Sequence, residues 1–169
     1  MIYETERLAV RDLTDGDAEA LYEMHRHDEV MRWLDRTPST GPAEELERLA
    51  HWRTLRTGPY GFFGIDEKAS GRMVGVLVFK PFDDLPYVDL GWRLNPAYWG
   101  RGYATEAARG AIERAFGELG LAELAATTLP DNARSRAVME RLGMTYAGDC
   151  VHAGLPHVLY LLRRQQVVE

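Results

Sequence analysis

Residues 91–107 read GWRLNPAYWGRGYATEA, and they carry the clearest structural signal in the chain. A strand-like run, VDLGWRL, ends just before Asn95, a turn of small residues follows at 100–105, and a helical pattern then continues to about Leu119. A helix that starts directly after a glycine turn presents free backbone N–H groups at the positive end of its dipole. Such a helix end binds anions, and most naturally phosphate. The stretch therefore predicts a strand, a phosphate-binding turn and a helix in that order.

The turn differs from the two best-known phosphate-binding patterns. It lacks the Lys-Ser/Thr ending of the P-loop, G-x-x-x-x-G-K-[ST], and it lacks the G-x-G-x-x-G spacing of dinucleotide-binding folds with its later acidic residue. Glycines also precede helices in many proteins that bind no phosphate. The turn alone therefore does not assign a function.

A second segment narrows the assignment. Residues 124–128 form a short strand candidate, and NARSRAVMERLGM at 132–144 opens as a turn, continues as a helix of about three turns and closes on Gly143. With TERL at residues 5–8, Gly75 and WGRGYATEA, this segment makes the chain resemble the GNAT superfamily of acetyl-CoA-dependent N-acetyltransferases. The closer resemblance is to the RimJ/RimL-type branch, which acetylates protein N-termini. The resemblance covers nearly the whole chain.

The order of predicted elements agrees with this family. We predict strands at 2–10, 60–65, 72–79, 87–94, 124–128, 146–151 and 157–163, and helices at 17–34, 43–56, 105–119 and 132–142. The fourth and fifth strands flank a helix, so they should be parallel neighbours joined by a right-handed crossover. The resemblance implies an α+β fold: a mixed, mostly antiparallel sheet of about seven strands, with a V-shaped split between the fourth and fifth strands and four flanking helices. One domain should span residues 1–169.

Composition excludes several classes of protein. Among 169 residues, 46% are hydrophobic and 27% charged, as in an ordinary globular domain, and no apolar run is long enough to span a membrane. The net charge of −6 argues against a nucleic-acid binder. A single cysteine, Cys150, fits a reducing compartment, and MIYETERLAV does not resemble a signal peptide. We therefore predict a cytoplasmic protein without nucleic-acid or membrane partners.

The resemblance implies that acetyl-CoA is the co-substrate and lies in the split, with no metal. Its pantetheine arm would pair with the exposed edge of the fourth strand at Trp92, Arg93 and Leu94, and its pyrophosphate would rest on the turn. Gly102 and Ala104 match the family pattern [QR]-x-x-G-x-[GA], whereas a tryptophan at residue 99 replaces the usual Gln or Arg. The implied contacts of the turn are Gly100, Arg101, Gly102, Tyr103, Ala104 and Thr105.

Two residues of the second motif have alternative roles. Asn132 either hydrogen-bonds the pantetheine or simply caps the helix that follows, since Asn is a favoured cap residue. Ser135 is either an ordinary helix-surface residue or, as the resemblance implies, a proton donor to the departing thiolate. Many relatives use a tyrosine in the pattern N-x-x-[AS]-x-x-x-Y, and that place holds Met139, which cannot donate a proton.

Asp89 is the predicted general base. The attacking ammonium must lose a proton, and a carboxylate within reach does this directly or through one water. Asp is depleted in strands, so its presence at mid-strand favours a special role, although a structural charge is the alternative. The Leu94 N–H could stabilise the charge that develops on the thioester carbonyl oxygen. The five histidines show no metal-ligand pattern, and most are expected at the surface.

Two classes of function follow from these residues. The first is an N-acetyltransferase that moves an acetyl group from acetyl-CoA to a primary amine, on either a protein N-terminus or a small molecule. The second is a non-catalytic acyl-CoA sensor or a degenerate relative, because the acid tyrosine is missing at Met139. The acceptor would contact the loops at 33–42 and 81–86 and the final hairpin. A homodimer is left open.

Overall fold

The computed structural model describes residues 2–166. Within them the chain forms eight strands: β1 (Tyr3–Glu4), β2 (Leu8–Asp12), β3 (Gly61–Glu67), β4 (Arg72–Pro81), β5 (Val88–Leu94), β6 (Glu123–Thr128), β7 (Thr145–His152) and β8 (Leu155–Arg163). The same residues form five α-helices: α1 (Ala18–His25), α2 (Asp28–Met31), α3 (Pro42–Thr54), α4 (Tyr103–Gly117) and α5 (Ala133–Arg141). The order agrees with the predicted order except at two places near the N-terminus.

All eight strands join one sheet in the order β1-β2-β3-β4-β5-β6-β8-β7. Every neighbouring pair is antiparallel except β5 and β6, which are parallel, as the predicted crossover requires. These two strands pair at one position, Asp89 with Ala125, and separate beyond it. The α+β class, the mixed sheet and the split between these strands are therefore confirmed.

The predicted first strand is divided into two. The sequence predicts one strand at 2–10, whereas β1 and β2 fold back on each other with Tyr3 opposite Val10. Thr5 closes the turn between them, because its backbone N–H donates to the Leu8 carbonyl at 2.9 Å. Residues 4–7 are polar but include neither glycine nor proline, so the sequence does not mark the reversal. The sheet therefore has eight strands rather than about seven.

The predicted first helix is also divided. A helix at 17–34 is expected, but α1 ends at His25, and His27 has an extended backbone (φ −89°, ψ 121°) before α2 begins. The break reorients α2 so that both Val30 and Met31 are buried. No glycine or proline marks the break, so the sequence does not predict it. Because of this break, residues 2–166 form five helices rather than the predicted four.

Two apolar cores lie on opposite faces of the sheet. Helices α4 and α5 cover one face, and α1, α2 and α3 cover the other around Leu21, Met31 and Trp52. Alanine side chains are short, so α4 can lie close against the sheet. Four alanines of α4 are fully buried there: Ala107, Ala108, Ala111 and Ala115.

Candidate active site

A cleft of about 910 Å³ passes through the gap between β5 and β6. One end lies at the first turns of α4 and α5, the middle runs along β5, and the other end lies between the segment after α2 and the β7–β8 hairpin. The structure brings nearly all the predicted site residues to this one cleft, although they lie far apart in the sequence. Those that line it are Asp89, Trp92, Arg93, Leu94, Gly100, Gly102, Tyr103, Ala104, Thr105, Asn132 and Ser135.

The glycine turn leaves the start of α4 without a capping side chain. Gly100 (φ 76°) and Gly102 (φ 77°) are both left-handed, a conformation that glycine adopts without strain. The hydrogen bond from the Glu106 N–H to the Gly102 carbonyl is the first of the helix, at 3.0 Å, so the amides before it have no helical acceptor. The buried hydroxyl of Thr105 has no hydrogen-bond partner within residues 2–166. This group of unused donors fits a phosphate.

Arg101 does not line the cleft. Its guanidinium lies 3.5 Å from a Glu67 carboxylate oxygen and 5.1 Å from the centre of the Tyr98 ring. The ion pair with Glu67 directs the guanidinium away from the turn. The predicted phosphate contact of Arg101 stays a prediction.

Arg134 supplies a basic group at the cleft that sequence reasoning missed. Its guanidinium lies 3.6 Å from the centre of the Trp99 ring, a cation–π contact. The Trp99 Nε1 donates to the Leu94 carbonyl at 3.0 Å and so joins the turn to the end of β5. Trp99, which stands where the family usually has Gln or Arg, therefore holds the guanidinium of Arg134 from α5. No pattern in the sequence indicates that these two residues are in contact.

The free edge of β5 differs in one residue from the predicted edge. Asn95 donates its backbone N–H to Val74 at 2.9 Å, which fixes the alternation of the ladder between β4 and β5. The N–H groups of Trp92 and Leu94 therefore point into the gap, as predicted. Arg93 lies one position out of phase, so its backbone faces β4, and only its side chain reaches the cleft.

Asn132 is a helix cap, as one of its two predicted roles requires. Its Oδ1 accepts from the Ser135 N–H at 3.3 Å, and its Nδ2 donates to Thr128 Oγ1 on β6 at 3.0 Å. Ser135 is half-buried at the cleft, and within residues 2–166 its hydroxyl makes no hydrogen bond. Met139 lies buried one turn further along α5. The Ser135 hydroxyl is thus free to meet a ligand, whereas both polar atoms of Asn132 are already engaged.

Replacing Asn132 by alanine should lower the free energy of unfolding by roughly 2 kcal/mol, from the lost cap and the lost buried hydrogen bond. The matched control is Asn95→Ala, because Asn95 also caps a turn, through Ala97, but lacks the second bond. It should cost about 1 kcal/mol, measured by urea unfolding. Equal losses in the two variants would contradict the buried contact with Thr128. An unchanged Michaelis constant for acetyl-CoA would show that Asn132 does not contact the ligand.

Asp89 lies where the gap begins, since its pairing with Ala125 is the last between β5 and β6. Burial raises the pKa of its half-buried carboxyl to about 7, although the positive charges of Lys80 and Arg93, and of His152 when it is protonated, oppose the shift. A carboxylate with a pKa near neutral is suited to accept a proton at neutral pH.

The histidines are less exposed than the sequence predicts. His25 and His157 are buried, and His152 lines the cleft beside His157. His152 Nδ1 lies 2.8 Å from Asp84, which also accepts the Ala153 N–H at 3.0 Å. These contacts fasten the β7–β8 turn to the loop after β4.

Comparison with known proteins agrees with this arrangement. The family described as Acetyltransferase (GNAT) domain matches residues 7–145. YnaD of Bacillus subtilis (strain 168), an uncharacterized N-acetyltransferase, is 31% identical over 145 residues, which cover 85% of this chain and 82% of YnaD. The crystal structure of a GNAT-family acetyltransferase from Bacillus anthracis has a TM-score of 0.84 at 26% identity, covering 98% of this chain and 99% of that one.

One further neighbour shares the fold at lower identity. The Salmonella typhimurium acetyl transferase that modifies the N-terminal serine of 50S ribosomal subunit protein L7/L12 has a TM-score of 0.79 at 19% identity, covering 96% of this chain and 99% of that one. This likeness extends to the fold alone. The family match over residues 7–145, together with the glycine turn, the split sheet and the motif of α5, shows that this chain is an acetyltransferase of the GNAT family.

Proposed function

We propose that the protein transfers the acetyl group of acetyl-CoA to a primary amine by direct attack within a complex that holds both substrates. One observation carries the proposal: a single cleft connects the uncapped start of α4 to the half-buried carboxylate of Asp89 through the gap in the sheet. The first end suits a phosphate-bearing donor, and the second suits an ammonium that must lose a proton.

The donor end provides hydrogen bonds and one cation. The amides of Tyr103, Ala104 and Thr105 would bind the pyrophosphate at the positive end of the helix dipole. Arg134, held on the Trp99 ring, would add a charge-assisted hydrogen bond to a phosphate oxygen. The N–H groups at the free edge of β5 would pair with the pantetheine in the manner of an added strand. Acetyl-CoA, when bound, supplies an acetyl group already activated as a thioester.

Asp89 would receive the proton of the acceptor. With a pKa of about 7, a large fraction of its carboxyl is ionised at neutral pH and can take a proton directly or through one water. The Leu94 N–H, which points into the gap, would donate to the carbonyl oxygen as negative charge develops on it. Initial rates measured while both substrates are varied test the direct attack. Intersecting lines in double-reciprocal plots are expected, and parallel lines would indicate a covalent acetyl-enzyme instead.

Ser135 would deliver a proton to the thiolate that leaves. Ser135→Ala should lower kcat by about tenfold, below the usual range for a general acid because a thiolate leaves readily. The Michaelis constant for acetyl-CoA should change little. Ser70→Ala, in the turn between β3 and β4, serves as the control and should turn over normally. Wild-type turnover of Ser135→Ala would mean that solvent protonates the thiolate.

Two classes of acceptor fit a GNAT acetyltransferase. A protein N-terminus would match the RimJ/RimL-type branch and the activity named for the Salmonella neighbour. A small amine is the alternative.

A cytoplasmic location is also part of the proposal. Among residues 2–166, no helix has the length and apolar character that a membrane span requires.

A further inference from the structure

The cleft contains a cation that the proposed reaction does not use. Arg93 projects from β5 on the same face as Asp89, and its half-buried guanidinium lines the cleft. Its Nη1 lies 3.3 Å from His25 Nε2, and its guanidinium lies 5.4 Å from the centre of the Trp52 ring. Within residues 2–166 these contacts involve no carboxylate, so Arg93 retains a positive charge without an ion-pair partner.

His25 holds the guanidinium without neutralising it. A guanidinium can only donate hydrogen bonds, so His25 Nε2 must accept and His25 Nδ1 must carry the proton. Nδ1 lies 2.9 Å from Glu45 Oε2, which also receives Arg48 Nε at 2.9 Å. Burial lowers the pKa of His25, which keeps the ring neutral. The nearest carboxylate in this chain of contacts is therefore separated from Arg93 by an uncharged ring.

An unpaired cation at this depth is costly to the fold. Burial, with the nearby charges of Arg48 and Arg36, lowers the pKa of Arg93 to about 10. Since the guanidinium has five donors and uses one on His25, several remain for a ligand. A bound anion would offset the unfavourable burial and satisfy these donors at once.

Arg93 and Asp89 are separated on their strand face by Gly91. Two residues that lie four positions apart on a strand have Cα atoms about 13 Å apart. A Cβ placed on Gly91 would lie 3.4 Å from Val78 Cβ and 3.7 Å from Asp89 Oδ1, so the glycine leaves space between the two charged groups. The face thus presents a carboxylate, an opening and a guanidinium in line.

From this arrangement we propose that the acceptor is a primary amine that also carries a carboxylate, with the amine at Asp89 and the carboxylate at Arg93. The inference rests on the acetyl transfer proposed above and names its substrate class: amino acids and related small acids. A polyamine or an aminoglycoside would place a second ammonium against Arg93, which disfavours such polycations.

The test compares amines that differ only in the carboxylate. Glycine, L-alanine, β-alanine and γ-aminobutyrate are each paired with the corresponding primary amide, and the dipeptide Ala-Gly is paired with its C-terminal amide. For at least one of these pairs, kcat/KM of the wild-type enzyme should be about tenfold higher for the acid, because a charge-assisted bond is lost with the amide. The chain length at which the preference is largest reports the distance between the two subsites.

Arg93→Gln should reduce this preference towards unity, while Arg93→Lys should retain part of it. Arg72→Gln, which changes an exposed arginine of β4 that does not line the cleft, is the control and should keep the full preference. A structural role for Arg93 would lower kcat/KM for acids and amides alike, and the ratio would stay fixed, which would overturn the inference. Equal rates for acids and amides in the wild type would also overturn it while leaving acetyl transfer intact. Failure to acetylate any amine would overturn both proposals.

Discussion

Asp89→Asn should lower kcat by about a hundredfold or more near neutral pH, because asparagine keeps the size of the side chain but cannot accept a proton. The wild-type rate should rise with pH up to about 7, as the Asp89 carboxyl ionises, and then level off. The rate of the variant should continue to rise above that pH, because free amine becomes available without a base. The two pH profiles of kcat, measured by thiol release, therefore converge at high pH.

Asp83→Asn is the matched control, since Asp83 lines the same cleft but its side chain is 98% exposed. It should leave the pH profile unchanged. Parallel profiles for wild type and Asp89→Asn would show that Asp89 is a structural charge.

Asp89→Asn should also stabilise the protein at neutral and alkaline pH. A carboxyl whose pKa is raised by folding binds its proton more tightly in the native state, so its contribution to stability falls as pH rises from its unfolded value towards about 7. Asparagine does not ionise, and Asp89→Asn should therefore have a higher Tm than wild type above that pH. A lower Tm would contradict the cost that we assign to burial of this carboxylate.

Gly102→Val should weaken the binding of CoA by at least tenfold, about 1.4 kcal/mol, measured by calorimetry. Gly102 is the N-cap of α4 with φ 77°, a backbone conformation that a β-branched residue rarely adopts. The substitution would reorient the amides of the first turn. A Cβ at this position would meet only Arg7 Nη2, at 3.6 Å, so overpacking is not the cause of the expected loss.

Gly71→Val imposes the same strain elsewhere. Gly71 has φ 66° in the turn between β3 and β4, and a Cβ there meets nothing within 4 Å. Its variant should lose stability to a similar extent but bind CoA normally. Equal CoA affinity in the two variants, both folded, would remove the phosphate-binding role of the turn.

The sequence predicts those parts of the fold that are encoded locally. Residue type and spacing predict the glycine turn before α4 and the strand on each side of that helix. The single parallel pair follows from the crossover. The break after His25 could not be predicted, because it depends on how Val30 and Met31 pack against distant residues.

The parts of the site that sequence reasoning missed all depend on contacts between distant segments. Arg134 lies at the cleft in contact with Trp99. Arg93 is a predicted site residue, but the sequence predicts a backbone contact, whereas its side chain is the part that lies at the cleft, beside His25. Neither contact corresponds to a fixed separation between residues in the sequence, because each joins different elements of the fold. The pKa of Asp89 likewise depends on burial within the assembled cleft, which no local pattern reports.

The most direct test of acetyl transfer is the stoichiometry of the reaction, with free thiol and N-acetylated product measured together in the presence of acetyl-CoA and a panel of amines. The proposed function predicts that thiol release requires an amine and that one N-acetylated molecule forms for each thiol. Two results would contradict it. A folded protein could bind acetyl-CoA but fail to release thiol with any amine of the panel, or it could release thiol without forming N-acetylated product.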